Sequence, residues 1–169
     1  VLRQGWGVEP LTEGQAACVS TMSYNEYWVV RDAGYSPEQL TVFKYQSEGA
    51  ATLEDGLYVH EKNLSDAAFK DKMVRFVRAS MKGWKYAEAN PKEAAMIILD
   101  NDDAGVQTEK HQVRMMGEIA KLTAGSNGSL DPADYERTVK VLMSGDSDPV
   151  ITKKPSGAWT NEITNAALN

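Results

Sequence analysis

The 169-residue sequence predicts an α/β protein, on three observations. Short runs of β-forming residues alternate with helical segments over residues 1–60. Beyond residue 65, apolar residues recur mostly at spacings of three and four, which is typical of amphipathic helices. Residue pairs that begin helices, Asn90-Pro91 and Asp131-Pro132, divide this second region into separate helices. A β-α-β-α-β order followed by helices favours a mostly parallel sheet.

The first half supplies the predicted strands. The segment at 40–45 alternates apolar and polar residues, and Gly34 suits the left-handed position after a helix. The polar stretch at 46–55 is the best candidate for a linker. In order, the predicted elements are a strand tail at 1–3, a helix at 8–15, a strand at 16–22, a helix at 24–33, a strand at 40–45 and a strand at 56–60.

Helices are predicted for most of the rest. Ser65 and Asp66 are suited to begin a long helix that ends near Ala89. One face of this helix is apolar and carries Phe69, Met73, Phe76, Val77, Trp84 and Ala87. The later helices are predicted at 90–99, 107–123, 131–145 and, as a short final turn, 161–168.

Composition excludes some functions. The net charge of −6 and the lack of a basic cluster beyond Lys153 and Lys154 argue against nucleic-acid binding. No apolar run approaches the roughly 20 residues of a membrane span. The one cysteine, Cys18, lies in an apolar run and is predicted to be a buried thiol. His60 and His111 lie far apart in sequence, in a predicted strand and a predicted helix, and His111 is predicted to be a helix-surface residue. Asp100, Asp102 and Asp103 are best explained as a solvated loop.

The strongest candidate site is the turn from Ser23 to Glu26, between the strand predicted at 16–22 and the following helix. Ligands of open α/β sheets bind outside the carboxyl ends of strands, where helix N-termini also point. Tyr24 offers an aromatic face, Asn25 an amide and Glu26 a carboxylate. These groups suit a flat polar heterocycle or an amine. The alternative is that Asn25 caps the helix and Glu26 only complements its dipole.

Two further positions are candidates for ligand binding. Trp6 lies between Gly5 and Gly7, where an exposed indole could stack on a ligand. The alternative is that Trp6 fills a gap between lobes. Asp55, in Glu54-Asp55-Gly56, could face a cleft or could be an ordinary turn residue.

Three segments carry a resemblance to a known family. They are PLTEGQAACVSTMSYNEYWVVRDAG, LEDGLYVHEKNLSD and FVRASMKGWKYAEANPKEAAMIIL. The chain resembles the C-terminal half of the periplasmic solute-binding proteins of ABC importers for nitrate, sulfonates, taurine and the thiamine pyrimidine. This resemblance implies part of a type II periplasmic-binding fold. Residues 1–48 would belong to the second lobe, 49–56 to a hinge or crossover, and 57–169 to the mainly helical end of the first lobe. The N-terminal half would be missing or a separate chain.

The resemblance also implies a function without catalysis. The chain would belong to the receptor of an importer, located in the periplasm or lipid-anchored outside the membrane. Its partners would be a small solute, a membrane permease and the N-terminal half, with no cofactor. Among family members, the Tyr-Asn-Glu turn looks closest to the thiamine-pyrimidine binders. The alternatives are an anion receptor, a ligand-sensing domain and an iron-dependent pyrimidine synthase. The synthases carry a cysteine-rich run, whereas Cys18 is the one cysteine of this chain.

Overall fold

Helices are the regular secondary structure of the computed structural model, which describes residues 2–145 and 147–168. Two short 3₁₀ helices, Pro37–Gln39 and Glu61–Ser65, accompany the α-helices. The α-helices are α1 (Glu9–Thr12), α2 (Glu26–Asp32), α3 (Ala67–Ala89), α4 (Pro91–Asp100), α5 (Glu109–Thr123), α6 (Pro132–Met143) and α7 (Glu162–Leu168). Each predicted helix is therefore confirmed as an element, with ends shifted by a few residues.

The predicted strands are not formed among the described residues, so this part of the α/β prediction is wrong. The segments at 16–22, 40–45 and 56–60 are irregular, as is the described part of 1–3 (Val1 lies outside the described residues). A strand exists only where a second strand completes its hydrogen-bond ladder, and a sequence pattern specifies only one side of that ladder. At Ser20, in the middle of one such segment, the backbone bonds a side chain instead: Gln4 pairs with both its N–H and its C=O.

Local side-chain bonds explain where the helices begin. The Asp131 carboxylate accepts from the Ala133 N–H at 2.7 Å, and the Asp66 carboxylate accepts from the Ala68 N–H at 2.8 Å. The prediction that Ser65 caps α3 is wrong, because Ser65 ends the preceding 3₁₀ helix and donates to the Lys62 carbonyl. After α2 the backbone turns at Gly34, whose φ of +103° is accessible to glycine at little cost.

Two compact units make up the described chain. The first comprises Val1–Thr41 and Gly83–Gly125, and it holds α1, α2, α4 and α5. Its core lies between α4 and α5, where Ala94, Ala95 and Met116 are buried. The small side chains of the two alanines let the helices approach closely, and Met116 fills the space between them.

The second unit comprises Val42–Lys82 and Ser126–Asn169, and it holds most of α3 together with α6 and α7. Side chains on its helices form hydrogen bonds with backbone groups elsewhere in the unit. Arg137 donates to the carbonyl of the buried Ala51 at 3.0 Å, and Thr138 Oγ accepts from the Leu53 N–H at 2.8 Å. Arg78 donates to the carbonyls of Ala166 and Ala167 near the end of α7.

Two predictions about burial are wrong. Cys18 is exposed, because the apolar run around it is not covered by neighbouring strands among the described residues. On α3 the predicted apolar face contains no buried residue, and Phe76 and Trp84 keep about half of their surface exposed (54% and 45%). None of the helices in the described ranges is both long enough and apolar enough to span a bilayer.

Candidate functional site

Five of the six predicted site residues lie in the first unit. Ser23, Tyr24 and Asn25 form the turn before α2, and Glu26 is the first residue of that helix. Trp6 lies in the bend before α1. The sixth, Asp55, belongs to the second unit and lies exposed in an irregular segment, without the turn that the sequence suggested.

Gln4 links the Trp6 loop to the segment that leads into the Ser23–Glu26 turn. Its amide nitrogen donates to the Ser20 carbonyl and its amide oxygen accepts from the Ser20 N–H, both at 2.8 Å. The same nitrogen lies 3.3 Å from the carbonyl of Gly7, beside Trp6. One side chain therefore ties the loop that bears Trp6 to the segment that precedes the candidate turn. No pattern in the sequence indicates this role, because a glutamine in a loop has no characteristic signature.

Trp6 is fully exposed, with 100% of its surface accessible. An indole with both faces in water is unfavourable, and burying it against a flat ligand would remove apolar surface from solvent. Full exposure is compatible with a stacking role, and Trp6 fills no gap among the described residues.

Asn25 and Glu26 form a hydrogen-bonded pair at the start of α2. The Asn25 amide nitrogen donates to Glu26 Oε1 at 3.0 Å, and the Met22 N–H donates to Glu26 Oε2 at 2.8 Å. The Asn25 side chain makes no capping bond, so the interpretation of Asn25 as a helix cap is wrong. Glu26 does lie in the first turn, where its charge complements the helix dipole.

His111 completes this group from a distant part of the sequence. Its Nε2 lies 2.8 Å from Asn25 Oδ1. The sequence suggested a helix-surface histidine, and the structure places it at the candidate turn. No local pattern could reveal this, because His111 and Asn25 are 86 positions apart.

The free hydrogen-bonding capacity of the Asn25 and Glu26 side chains consists mostly of acceptors. Each Glu26 oxygen has a further lone pair beyond the bond it accepts within the chain, and Asn25 Oδ1 has one as well. Asn25 Nδ2 retains one N–H donor. Such a turn can bind a ligand edge that carries N–H donors, and a carboxylate strengthens those bonds by its charge.

Ion pairs and a ring contact hold α2 beside α5. Asp32 accepts from Lys110 and from Arg114, each at 2.9 Å. The Arg114 guanidinium also lies 4.9 Å from the centre of the Trp28 ring, within range of a cation–π interaction. These contacts fix the helix whose first turn carries Glu26.

The two cations also affect the ionisation of Asp32. Hydrogen bonds from Lys110 and Arg114 lower the pKa of the Asp32 carboxyl, and their charges act in the same direction. Because its pKa is lower in the folded state, Asp32 stabilises the fold above its unfolded pKa of about 3.9, and this contribution is lost as the pH falls through the folded value.

Replacing Asp32 with asparagine is expected to lower the free energy of unfolding by about 1 kcal/mol at pH 7, because two partly exposed ion pairs are lost. Denaturant unfolding measured from pH 7 down to pH 3 should show this difference shrinking below about pH 4. The matched control is Asp71→Asn, which removes one exposed pair with Arg75 on α3 and should cost less. A pH-independent difference would contradict the assignment.

Metal ligation has no support in the described residues, which contain no group of three or more His, Cys, Asp or Glu side chains placed to hold an ion. In the loop after α4, the Asp102 carboxylate instead accepts from the Gln107 N–H at 2.7 Å.

Comparison with known sequence families gives a match. The sequence model of the NMT1/THI5-like family matches residues 2–94, which is more than half of the chain and includes Trp6 and the Ser23–Glu26 turn. No curated protein and no solved structure matches the chain. The match indicates a solute-binding or related function, in a family that suggests a periplasmic-binding fold. The chain therefore belongs to the NMT1/THI5-like family.

Proposed function

We propose that the chain is part of the solute-binding receptor of an ABC importer and binds a small, flat, amino-bearing molecule at the Ser23–Glu26 turn. A thiamine-pyrimidine precursor is the best candidate. The observation that carries the proposal is the hydrogen-bonded pair of Asn25 and Glu26, which is partly exposed at the start of α2. An acceptor-rich turn around a carboxylate favours ligand N–H donors and disfavours anions.

Trp6 is proposed to bind the aromatic face of the same ligand. Stacking of its exposed indole on an aromatic ligand would provide apolar contact, while Glu26 and Asn25 bind the polar edge. Gln4 supports this arrangement because it joins the Trp6 loop to the segment before the turn. We assign Ser23 and Tyr24 to the same ligand as further contacts.

The proposed architecture follows the type II periplasmic-binding fold. The N-terminal half of the protein completes the cleft of this fold. Closure of the lobes on the solute presents the receptor to a membrane permease. The receptor acts outside the cytoplasmic membrane and has no catalytic role of its own.

Tryptophan fluorescence of the full-length protein tests this function. The titrants are an aminopyrimidine precursor of thiamine, taurine and nitrate, and saturable binding of the pyrimidine alone is the expected result. Trp6→Phe should abolish the fluorescence change if Trp6 stacks on the ligand, whereas Trp159→Phe, in the second unit, should keep it.

Each other result contradicts a defined part of the proposal. Binding of taurine or nitrate alone would keep the receptor and overturn the assignment of Asn25 and Glu26 as ligand contacts. The family includes synthase-like members as well as solute binders. Stoichiometric iron in the purified protein, together with consumption of a bound substrate, would therefore overturn the receptor proposal and indicate an enzyme.

A further inference from the structure

A side-chain hydrogen bond connects His111 to the candidate turn. It lies in the first turn of α5, where the Thr108 hydroxyl accepts from its backbone N–H at 3.3 Å. From there its ring reaches Asn25, with 2.8 Å between Nε2 and Oδ1. The imidazole is partly buried. A ring fixed at its backbone and at one nitrogen has a defined orientation.

The partners of Asn25 decide which atom of this contact carries the hydrogen. Glu26 is an acceptor when ionised, so the Asn25 atom that faces its Oε1 at 3.0 Å must be the NH₂ group. The carbonyl oxygen of the amide therefore faces His111. Because an oxygen can only accept, His111 Nε2 must carry the hydrogen. The neutral ring is then the Nε2–H tautomer, with Nδ1 unprotonated.

The three side chains form a hydrogen-bond relay, in which His111 donates to Asn25 and Asn25 donates to Glu26. The Met22 N–H donates to the other Glu26 oxygen and holds the carboxylate from the far side. Without the His111 donor, the amide of Asn25 would lose one of the two bonds that oppose its rotation, and its bond to Glu26 alone would hold it. Turning the amide over would place its oxygen against the Glu26 carboxylate, with the wrong pattern for the proposed ligand.

We propose that His111 is a positioning residue of the ligand site, which selects amino-bearing ligands over anions by holding the Asn25 amide in one orientation. This inference rests on the proposed ligand site at Asn25 and Glu26. His111 itself need not touch the ligand. Its effect is to keep Asn25 Nδ2 on Glu26 and the carboxylate lone pairs toward the ligand.

Other contacts hold α2 beside α5, so the role of His111 can be separated from packing. Asp32 bonds both Lys110 and Arg114, and Arg114 lies over the Trp28 ring. A substitution at His111 leaves these contacts in place. We therefore expect variants of His111 to fold and to keep the two helices together.

The tautomer can be tested without a ligand. Nitrogen-15 NMR of the histidine rings at pH 8, well above the ordinary histidine pKa of about 6.5, distinguishes a protonated from an unprotonated Nε2. The chain has two histidines, so the variant His60→Gln leaves His111 as the only signal. We expect Nε2 of His111 to be protonated. The Nδ1–H tautomer would reverse the contact with Asn25 and overturn the inference.

Two substitutions test the effect on binding. His111→Phe keeps a planar ring and removes the donor, whereas His111→Gln places an amide N–H at about the position of Nε2. We expect the affinity for the aminopyrimidine to fall about three- to tenfold in the Phe variant, the loss of one hydrogen bond, and to recover in the Gln variant. Preference for the aminopyrimidine over taurine should fall in parallel. The matched control is His60→Phe at an exposed position of the second unit, with no expected change.

The outcomes separate the two proposals. A wild-type protein that binds none of the titrants overturns the proposed function and the ligand role of His111, while the NMR result stands by itself. A wild-type protein that binds the pyrimidine, with equal affinity in the Phe variant, overturns only the positioning role. A loss in the Phe variant that glutamine does not restore would show that ring packing, and not the donor, matters.

Discussion

Replacing Met116 with alanine is expected to lower the free energy of unfolding by about 2–4 kcal/mol. Met116 is 5% exposed and packs between α4 and α5 against Ala94 and Ala95. Neither alanine has side-chain atoms that could fill the space, so truncation leaves a cavity and also loses the transfer free energy of the methionine side chain. Denaturant unfolding followed by circular dichroism measures the change.

A methionine in the same unit provides the control. Met96, on α4, is 36% exposed, and Met96→Ala removes the same atoms from a site open to solvent. Its cost should stay below about 1 kcal/mol, because little buried surface is lost. Equal costs for Met116→Ala and Met96→Ala would mean that α4 and α5 do not form the core of the first unit.

The helices could be predicted because their determinants are local. The spacing of apolar residues marked α3 and α5, and the Asp131-Pro132 pair marked the start of α6, where the Asp131 carboxylate accepts from the Ala133 N–H. Helix hydrogen bonds join residues four apart, so a window of sequence contains both partners. The order and approximate ends of the helices follow from this.

The prediction of the strands was wrong because the determinants of a strand are not local. The runs at 16–22 and 40–45 have the composition of strands, but a ladder needs a partner elsewhere in the chain, and none pairs with them among the described residues. Exposed Phe43 and Tyr58, at 70% and 81%, show that β-forming side chains alone do not bring such segments together. β-propensity measures fit to a sheet, and without neighbouring strands it has little effect.

In the candidate site, too, the local part could be predicted from the sequence and the long-range contacts could not. The turn of Ser23, Tyr24 and Asn25 before Glu26 was predicted from a contiguous stretch, and the structure has a turn and a helix start there. Gln4 and His111 were not predicted as parts of it, because they reach Ser20 and Asn25 across 16 and 86 positions. Their roles depend on tertiary contacts that one sequence does not encode as a pattern.

Glu26→Gln is expected to weaken binding of the aminopyrimidine by about 10- to 100-fold, because bonds to a charged acceptor contribute about 1.5–3 kcal/mol each. The substitution also disturbs the relay. Glu26 accepts from both Asn25 and the Met22 N–H, and a glutamine amide can accept from only one of them through its oxygen. The remaining NH₂ group would then face another donor.

Isothermal titration calorimetry measures this loss, with thermal unfolding of the same samples to show that the variant is folded. The matched control is Glu9→Gln, because Glu9 is the first residue of α1 just as Glu26 is the first residue of α2. Both changes remove a negative charge from a helix N-terminus, so any effect of the helix dipole is common to them. Only Glu26 belongs to the proposed ligand site, so only Glu26→Gln should reduce the affinity. If the folded Glu26→Gln protein bound the aminopyrimidine as tightly as the Glu9→Gln protein, the carboxylate of Glu26 would not contact the ligand, and the solute would have to be recognised elsewhere.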